Sequence, residues 1–136
     1  MPFTPPIISA LTAAILIVMQ IALMTGVILA RRRNWQSLGD RGHKDLLISI
    51  RRHGNFAENA ALFIAGFTLL EILGDNRVVL EILCAAFALA RISHAIGLST
   101  GNTVNPFRFT GIGATITVGL VLAERLVRVA ISQLLV

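Results

Sequence analysis

The alternation of apolar and polar positions divides the chain into four long apolar stretches separated by short polar breaks. From Ile7 to Ala30 the only strongly polar side chain is Gln20. A hydrocarbon core about 30 Å thick is crossed by roughly 20 helical residues, so this stretch alone has the length of a membrane span. A second apolar region begins near Asp45 and continues to about Leu73, where Gly74, Asp75 and Asn76 supply the turn chemistry that interrupts a helix. A third runs from about Val78 to Leu98. The segment STGNTVNP, Ser99 to Pro106, then breaks the pattern and puts Pro106 at the first turn of a fourth helix. The pattern predicts an all-α membrane protein: one domain over residues 1–136, a four-transmembrane-helix bundle with helices at about 7–30, 45–73, 78–98 and 107–135. A transmembrane β-barrel is excluded, because its strands alternate in polarity over about ten residues and these stretches are apolar on all sides for longer.

Composition strengthens the membrane reading. Of 136 residues, 55% are hydrophobic, and the mean hydropathy of +0.78 exceeds what a soluble domain of this size needs for its core. A cleaved signal peptide would carry basic residues before its apolar run. Here Met1 to Pro6 has none, whereas Arg31, Arg32 and Arg33 follow the run directly, which predicts a retained first helix ending in the cytoplasm. Seven of the twelve Lys and Arg residues lie between Arg31 and Arg52. That clustering makes the net charge of +5 a topology signal, and nucleic acid is not expected as a partner. Helix alternation then places the N-terminus outside, the Arg31 to Lys44 loop inside, the Gly74 to Arg77 turn outside and the Ser99 to Arg108 loop inside. Arg32, Arg33, Arg41 and Lys44 are expected to set orientation and meet anionic lipid. Trp35, Gly39 and Gly42 give the same loop an interfacial character with a flexible centre. Glu124 and Arg128, four apart, are expected to form a local ion pair at the outer interface. A lone cysteine, Cys84, rules out an internal disulfide, and no metal site is expected.

Against this apolar background one set of positions stands out. Arg51, Asn55 and Glu58 are spaced by four and three residues and share a face of the second helix, with His53 and Asn59 displaced from it. Arg91 and His94, three apart, share a face of the third. Ionisable groups facing lipid cost from about 2.5 kcal/mol upward, so such residues face a partner helix or an aqueous cavity. Both sets fall toward the inner half of the bilayer, and a Glu58–Arg91 pair is expected to join them. With Arg108, the donors outnumber the acceptors and open toward the cytoplasmic interface, an arrangement suited to an anionic ligand. Gly111, Thr115 and Gly119, every four residues, form a small-residue stripe for close helix contact.

Three stretches carry a family resemblance: RRHGNFAEN at Arg51 to Asn59, RISHAIGL at Arg91 to Leu98, and NPFR at Asn105 to Arg108. Together they resemble the MAPEG family, membrane-associated proteins in eicosanoid and glutathione metabolism, and its bacterial branch in particular. The resemblance covers nearly the whole chain. It implies a homotrimer in a bacterial inner membrane, with glutathione as co-substrate held between neighbouring subunits near the cytoplasmic side. Arg51, Asn55 and Glu58 match the glutathione-binding positions, Arg31 matches a basic contact at the end of the first helix, and Arg91 and His94 match the polar face of the third. Arg108 lies where the family places the arginine that activates the thiol. The implied activity is a transferase or peroxidase acting on apolar electrophiles or lipid hydroperoxides within the membrane. The sequence departs from the eukaryotic members in having no tyrosine, with Asn59 and Leu98 where two are expected. Gly54 lacks a basic side chain that some members carry, and Leu47 and Ile48 replace a charged pair. The missing tyrosines favour the alternative function, a non-catalytic membrane scaffold or lipid-binding trimer whose buried polar groups serve assembly. A proton or ion pathway through Glu58 and His94 is a third possibility on polarity alone.

Overall fold

The computed structural model describes residues 5–99 and 105–135. Among them the chain forms four helices in order, α1 (Ile7–Arg33), α2 (Lys44–Ile72), α3 (Arg77–Ser99) and α4 (Pro106–Leu134), and no strand. Part of the Ser99 to Pro106 break lies outside the described residues. α1 runs through the three arginines that the hydrophobic pattern placed beyond its end. Cations in a last turn face the partial negative charge of the helix C-terminus, which favours this extension.

Each boundary has a local cause. Gly74, at φ +78°, ends the α2 segment where an L side chain is strained. The Asn76 Oδ1 accepts the Val79 amide at 3.1 Å and starts α3. Asn105 does the same for α4, accepting the Phe107 amide at 2.9 Å with Pro106 at the next position. α1 follows Pro6 with no cap of its own. Its free amides are taken by a residue far along the chain: Ile8 N and Ser9 N donate to the two carboxylate oxygens of Glu71 at 2.9 and 2.8 Å, and Ser9 Oγ donates at 2.6 Å.

α2 and α3 form the middle of the bundle and pack against each other, with α1 and α4 each packed against both and not against one another. Leu80, Leu83, Cys84, Phe87, Ala90, Arg91 and His94 are buried along one side of α3, at the spacing of three and four that a helix requires for a single face. Phe87 stacks on Phe63 of α2 with ring centroids 4.2 Å apart and meets Phe67 edge-on at 5.8 Å. α3 and α4 approach through their glycines. A Cβ added at Gly111 would lie 2.7 Å from His94 N and 2.8 Å from Ala90 O, so the expected small-residue stripe makes a close backbone contact at Gly111, while Gly119 faces the Phe63 ring of α2. At the end of the bundle that holds the α2–α3 turn, the Arg125 guanidinium donates to Asp75, Nε to Oδ2 at 2.9 Å, and this hydrogen bond holds the Asp75 carboxyl below its ordinary range. The expected Glu124–Arg128 pair is present, at 2.8 Å from Nε.

Among the described residues, only α1 and α3 are long and apolar enough to qualify as membrane spans. α2 and α4 are longer, 29 residues each, about 44 Å at about 1.5 Å per residue. They also bear the polar ladder and Arg108. α1 keeps most of its apolar side chains exposed, including Leu11, Ile15, Val18 and Ile21. In water that surface would be a large unpartnered apolar patch, and in a bilayer it is matched by lipid.

Candidate functional site

The face of α2 that bears Arg51, Asn55 and Glu58 opens onto a cavity of about 530 Å³. α3 contributes His94 and Leu98 to its wall, and α4 contributes Arg108 and Ile112. The volume falls in the range of small-molecule sites, about 300–1,000 Å³. Two guanidinium groups and one carboxylate line it, beside the apolar Leu47, Ile48 and Ile50. Five of the expected site residues, Arg51, Asn55, Glu58, His94 and Arg108, are therefore neighbours of one space.

Arg91 stands behind that wall rather than in it. Only 2% exposed, its guanidinium donates from Nη2 to Asn55 Oδ1 at 2.5 Å and to Asn55 O at 3.3 Å, and from Nη1 to Thr115 Oγ1 at 3.4 Å. Its Cζ lies 6.0 Å from the centre of the Phe56 ring. The expected Glu58–Arg91 pair does not form. Glu58 is exposed on the cavity side, and among the described residues it has no hydrogen bond or ion pair. The reason is register: Asn55, one turn earlier on α2, faces the buried stripe of α3 and reaches Arg91 first, while Glu58 is rotated outward. Because a guanidinium only donates, its bond fixes the Asn55 amide with Oδ1 toward Arg91 and the Nδ2 donors turned away from it.

Arg108 owes its place to a close crossing. It sits in the first turn of α4, and its backbone lies so near Gly97 of α3 that a Cβ there would be 2.4 Å from Arg108 N. His94 Nδ1 lies 3.5 Å from the Arg108 carbonyl. Thus one glycine and one histidine of α3 set where the Arg108 side chain begins.

Arg31 lies elsewhere. Its Nη1 donates to the carbonyls of Gly39 at 3.2 Å and Gln36 at 3.5 Å, and it lines a different groove with Arg32 and Trp35. Within one subunit it is not part of the Arg51 cavity. Asn59, displaced from the ladder as expected, donates to the Asn55 carbonyl at 2.8 Å.

Three interactions have no clear signal in the sequence. Gln20, the only strongly polar side chain between Ile7 and Ala30, meets His53 Nε2 of α2 at 2.8 Å. Thr115, read as a small packing residue, is the acceptor for Arg91. Glu71 caps α1. Isolated polar residues at apolar positions are the only hint that such partners exist, and they do not say which pairs form.

The family model of the MAPEG family matches residues 9–128, a span that contains every residue lining the cavity. No curated protein and no solved structure matches the chain.

Proposed function

This chain belongs to the MAPEG family of membrane proteins, and from that premise we propose that it is a glutathione-dependent transferase or peroxidase acting on apolar electrophiles or lipid hydroperoxides in the membrane. The observation that carries the reading is the charge pattern of the cavity: Arg51 and Arg108 against the single carboxylate of Glu58. Glutathione presents carboxylates, an ammonium group and a thiol. Arg51 offers a planar fork for a carboxylate, Glu58 is an unpaired acceptor for the ammonium, and the Asn55 amide, held by Arg91, is pre-set as a donor. Arg108 stabilises the thiolate, the reactive form of the nucleophile, by placing a permanent cation beside the developing anion.

With an alkyl or aryl halide, the thiolate sulfur forms a bond to carbon, the carbon–halogen bond breaks, and the halide leaves with the bonding pair. The thiol proton has already passed to solvent through the open mouth of the cavity. With a lipid hydroperoxide the sulfur attacks the terminal oxygen, the O–O bond breaks, and the lipid alcohol leaves after taking a proton. A second glutathione then displaces water from the sulfenic acid. Leu98 and Ile112, beside Arg108, give the reacting face an apolar border through which such substrates enter from lipid. The proposed assembly is a homotrimer in a bacterial inner membrane, N-terminus outside and first loop cytoplasmic. In it Arg31 of a neighbouring subunit completes the ligand contacts by exchanging the loop carbonyls it holds within its own subunit for a glutathione carboxylate.

Calorimetric titration of glutathione into the detergent-solubilised protein tests the reading. Arg51→Ala is expected to weaken binding about tenfold, the loss of one charge-assisted hydrogen bond in a partly open site. Arg108→Ala is expected to retain most of the binding and to lose turnover of a model aryl halide. A parent protein that neither binds glutathione nor turns over would favour the scaffold instead, a role to which the Arg91–Asn55–Thr115 network is also suited.

A further inference from the structure

The second groove, at the cytoplasmic end of α1, has a different character. It encloses about 720 Å³ and is lined by Ile28, Arg31, Arg32, Trp35, Gln36 and Ser37. Trp35 stands over it, 92% exposed, with a backbone φ of +52°. A bulky aromatic residue in the left-handed region is a true outlier, held only where its surroundings fix it. They do so here. Trp35 N donates to Arg32 O at 3.3 Å and Gln36 N to Arg31 O at 3.1 Å. Arg31 clamps the carbonyls of Gln36 and Gly39, and Asn34 Nδ2 bonds both Ala30 O and Asp45 Oδ2 at 2.9 Å. The loop is thus fastened with its largest apolar side chain facing outward.

Below the groove the surface of α1 is an apolar rail. Ile17, Ile21, Met24 and Ile28 follow at spacings of four, three and four, and are 58%, 52%, 43% and 45% exposed. At the head of the rail the Arg32 guanidinium makes no hydrogen bond or ion pair among the described residues, whereas Arg31 is tied to the loop and Arg33 lies 3.8 Å from Asp45. A free guanidinium, an amphipathic ring at interface level and a strip of aliphatic side chains about three helical turns long match a phosphate head group, the glycerol region and an acyl chain in turn.

We infer that this groove binds an anionic membrane phospholipid, its phosphate on Arg32, its head-group region under Trp35 and one acyl chain along Ile28, Met24, Ile21 and Ile17. Neither Arg51 nor Arg108 lines the groove, and the phosphate is assigned to Arg32 rather than to Arg31, so the inference does not rest on glutathione chemistry. The occupant is a bilayer lipid rather than free phosphate, because the rail has no use for an ion without a chain.

Trp35 is the only tryptophan in the chain and so reports on its own site. The full-length protein is reconstituted into phosphatidylcholine vesicles carrying a small equal mole fraction of either brominated phosphatidylglycerol or brominated phosphatidylcholine, and Trp35 emission is measured. The expected result is several-fold stronger quenching by the anionic lipid, reduced to parity in Arg32→Gln, partly restored in Arg32→Lys, and unchanged in Arg108→Ala. Equal quenching by both lipids in the parent, or a preference that persists in Arg32→Gln, overturns the inference. So does relief of quenching by added inorganic phosphate, which would make the groove a phosphate site, or by added glutathione, which would assign it to the peptide. Loss of glutathione turnover with the lipid preference intact would defeat the proposed activity and leave this inference standing.

Discussion

Gly97→Ala probes the link between helix packing and the placement of Arg108. The added methyl would sit 2.4 Å from Arg108 N, 2.7 Å from its Cα and 2.8 Å from its Cβ. None of these atoms can swing away by a rotamer change, so the first turn of α4 must retreat by about 1 Å to restore ordinary van der Waals distance. Overpacking of this kind costs about 1–3 kcal/mol, and the better helix propensity of alanine returns about 1 kcal/mol. The net expectation is a destabilisation of about 0–2 kcal/mol, read as a fall of up to a few degrees in the thermal unfolding midpoint of the detergent-solubilised protein. The effect on the proposed reaction is larger in proportion, because a catalytic group misplaced by about 1 Å lowers the rate about a hundredfold. Gly26→Ala in α1 is the control: a Cβ there meets nothing within 4 Å, so stability should hold or rise and turnover should be unaffected. The assay is paired thermal unfolding and turnover of glutathione with an aryl halide. A Gly97→Ala protein equal to the parent in both would refute the argument that this crossing positions Arg108.

Glu58→Gln is expected to leave the unfolding midpoint unchanged, since the carboxylate has no partner to lose, while weakening glutathione binding measured by calorimetry; a marked loss of stability would restore the ion pair with Arg91. Glu71→Gln should destabilise by about 1–2 kcal/mol, the scale of a lost helix cap, because one oxygen that accepts from the start of α1 becomes a donor; thermal unfolding reads it. The Asp75 carboxyl is held below its ordinary value by the Arg125 guanidinium, so the stability it contributes is present above about pH 4, the unfolded value, and is lost as pH falls through the folded value. Unfolding midpoints measured from pH 6 to pH 3 should therefore drop more steeply in the parent than in Asp75→Asn, and parallel curves would contradict the linkage.

Much of the architecture was legible in residue order alone. Long apolar stretches, the Gly74–Asn76 turn and the Asn105–Pro106 start define four helices because helix length and termination are local properties. The ladder face was also legible, since spacings of four and three fix which side chains of one helix point the same way. What residue order left open was rotation and pairing between helices. Charge and depth pointed Arg91 to Glu58, and the register of α2 on α3 selects Asn55 instead. Glu71 reaches α1 across more than sixty residues of sequence, and Gly97 gains its significance only from Arg108 lying against it. Arg31 and Arg51 looked alike as basic ligands, yet the fold ties one to the loop carbonyls and turns the other into the cavity. Local sequence dictates what each helix presents, and only close packing decides which of those groups are satisfied within the bundle and which remain free for a ligand.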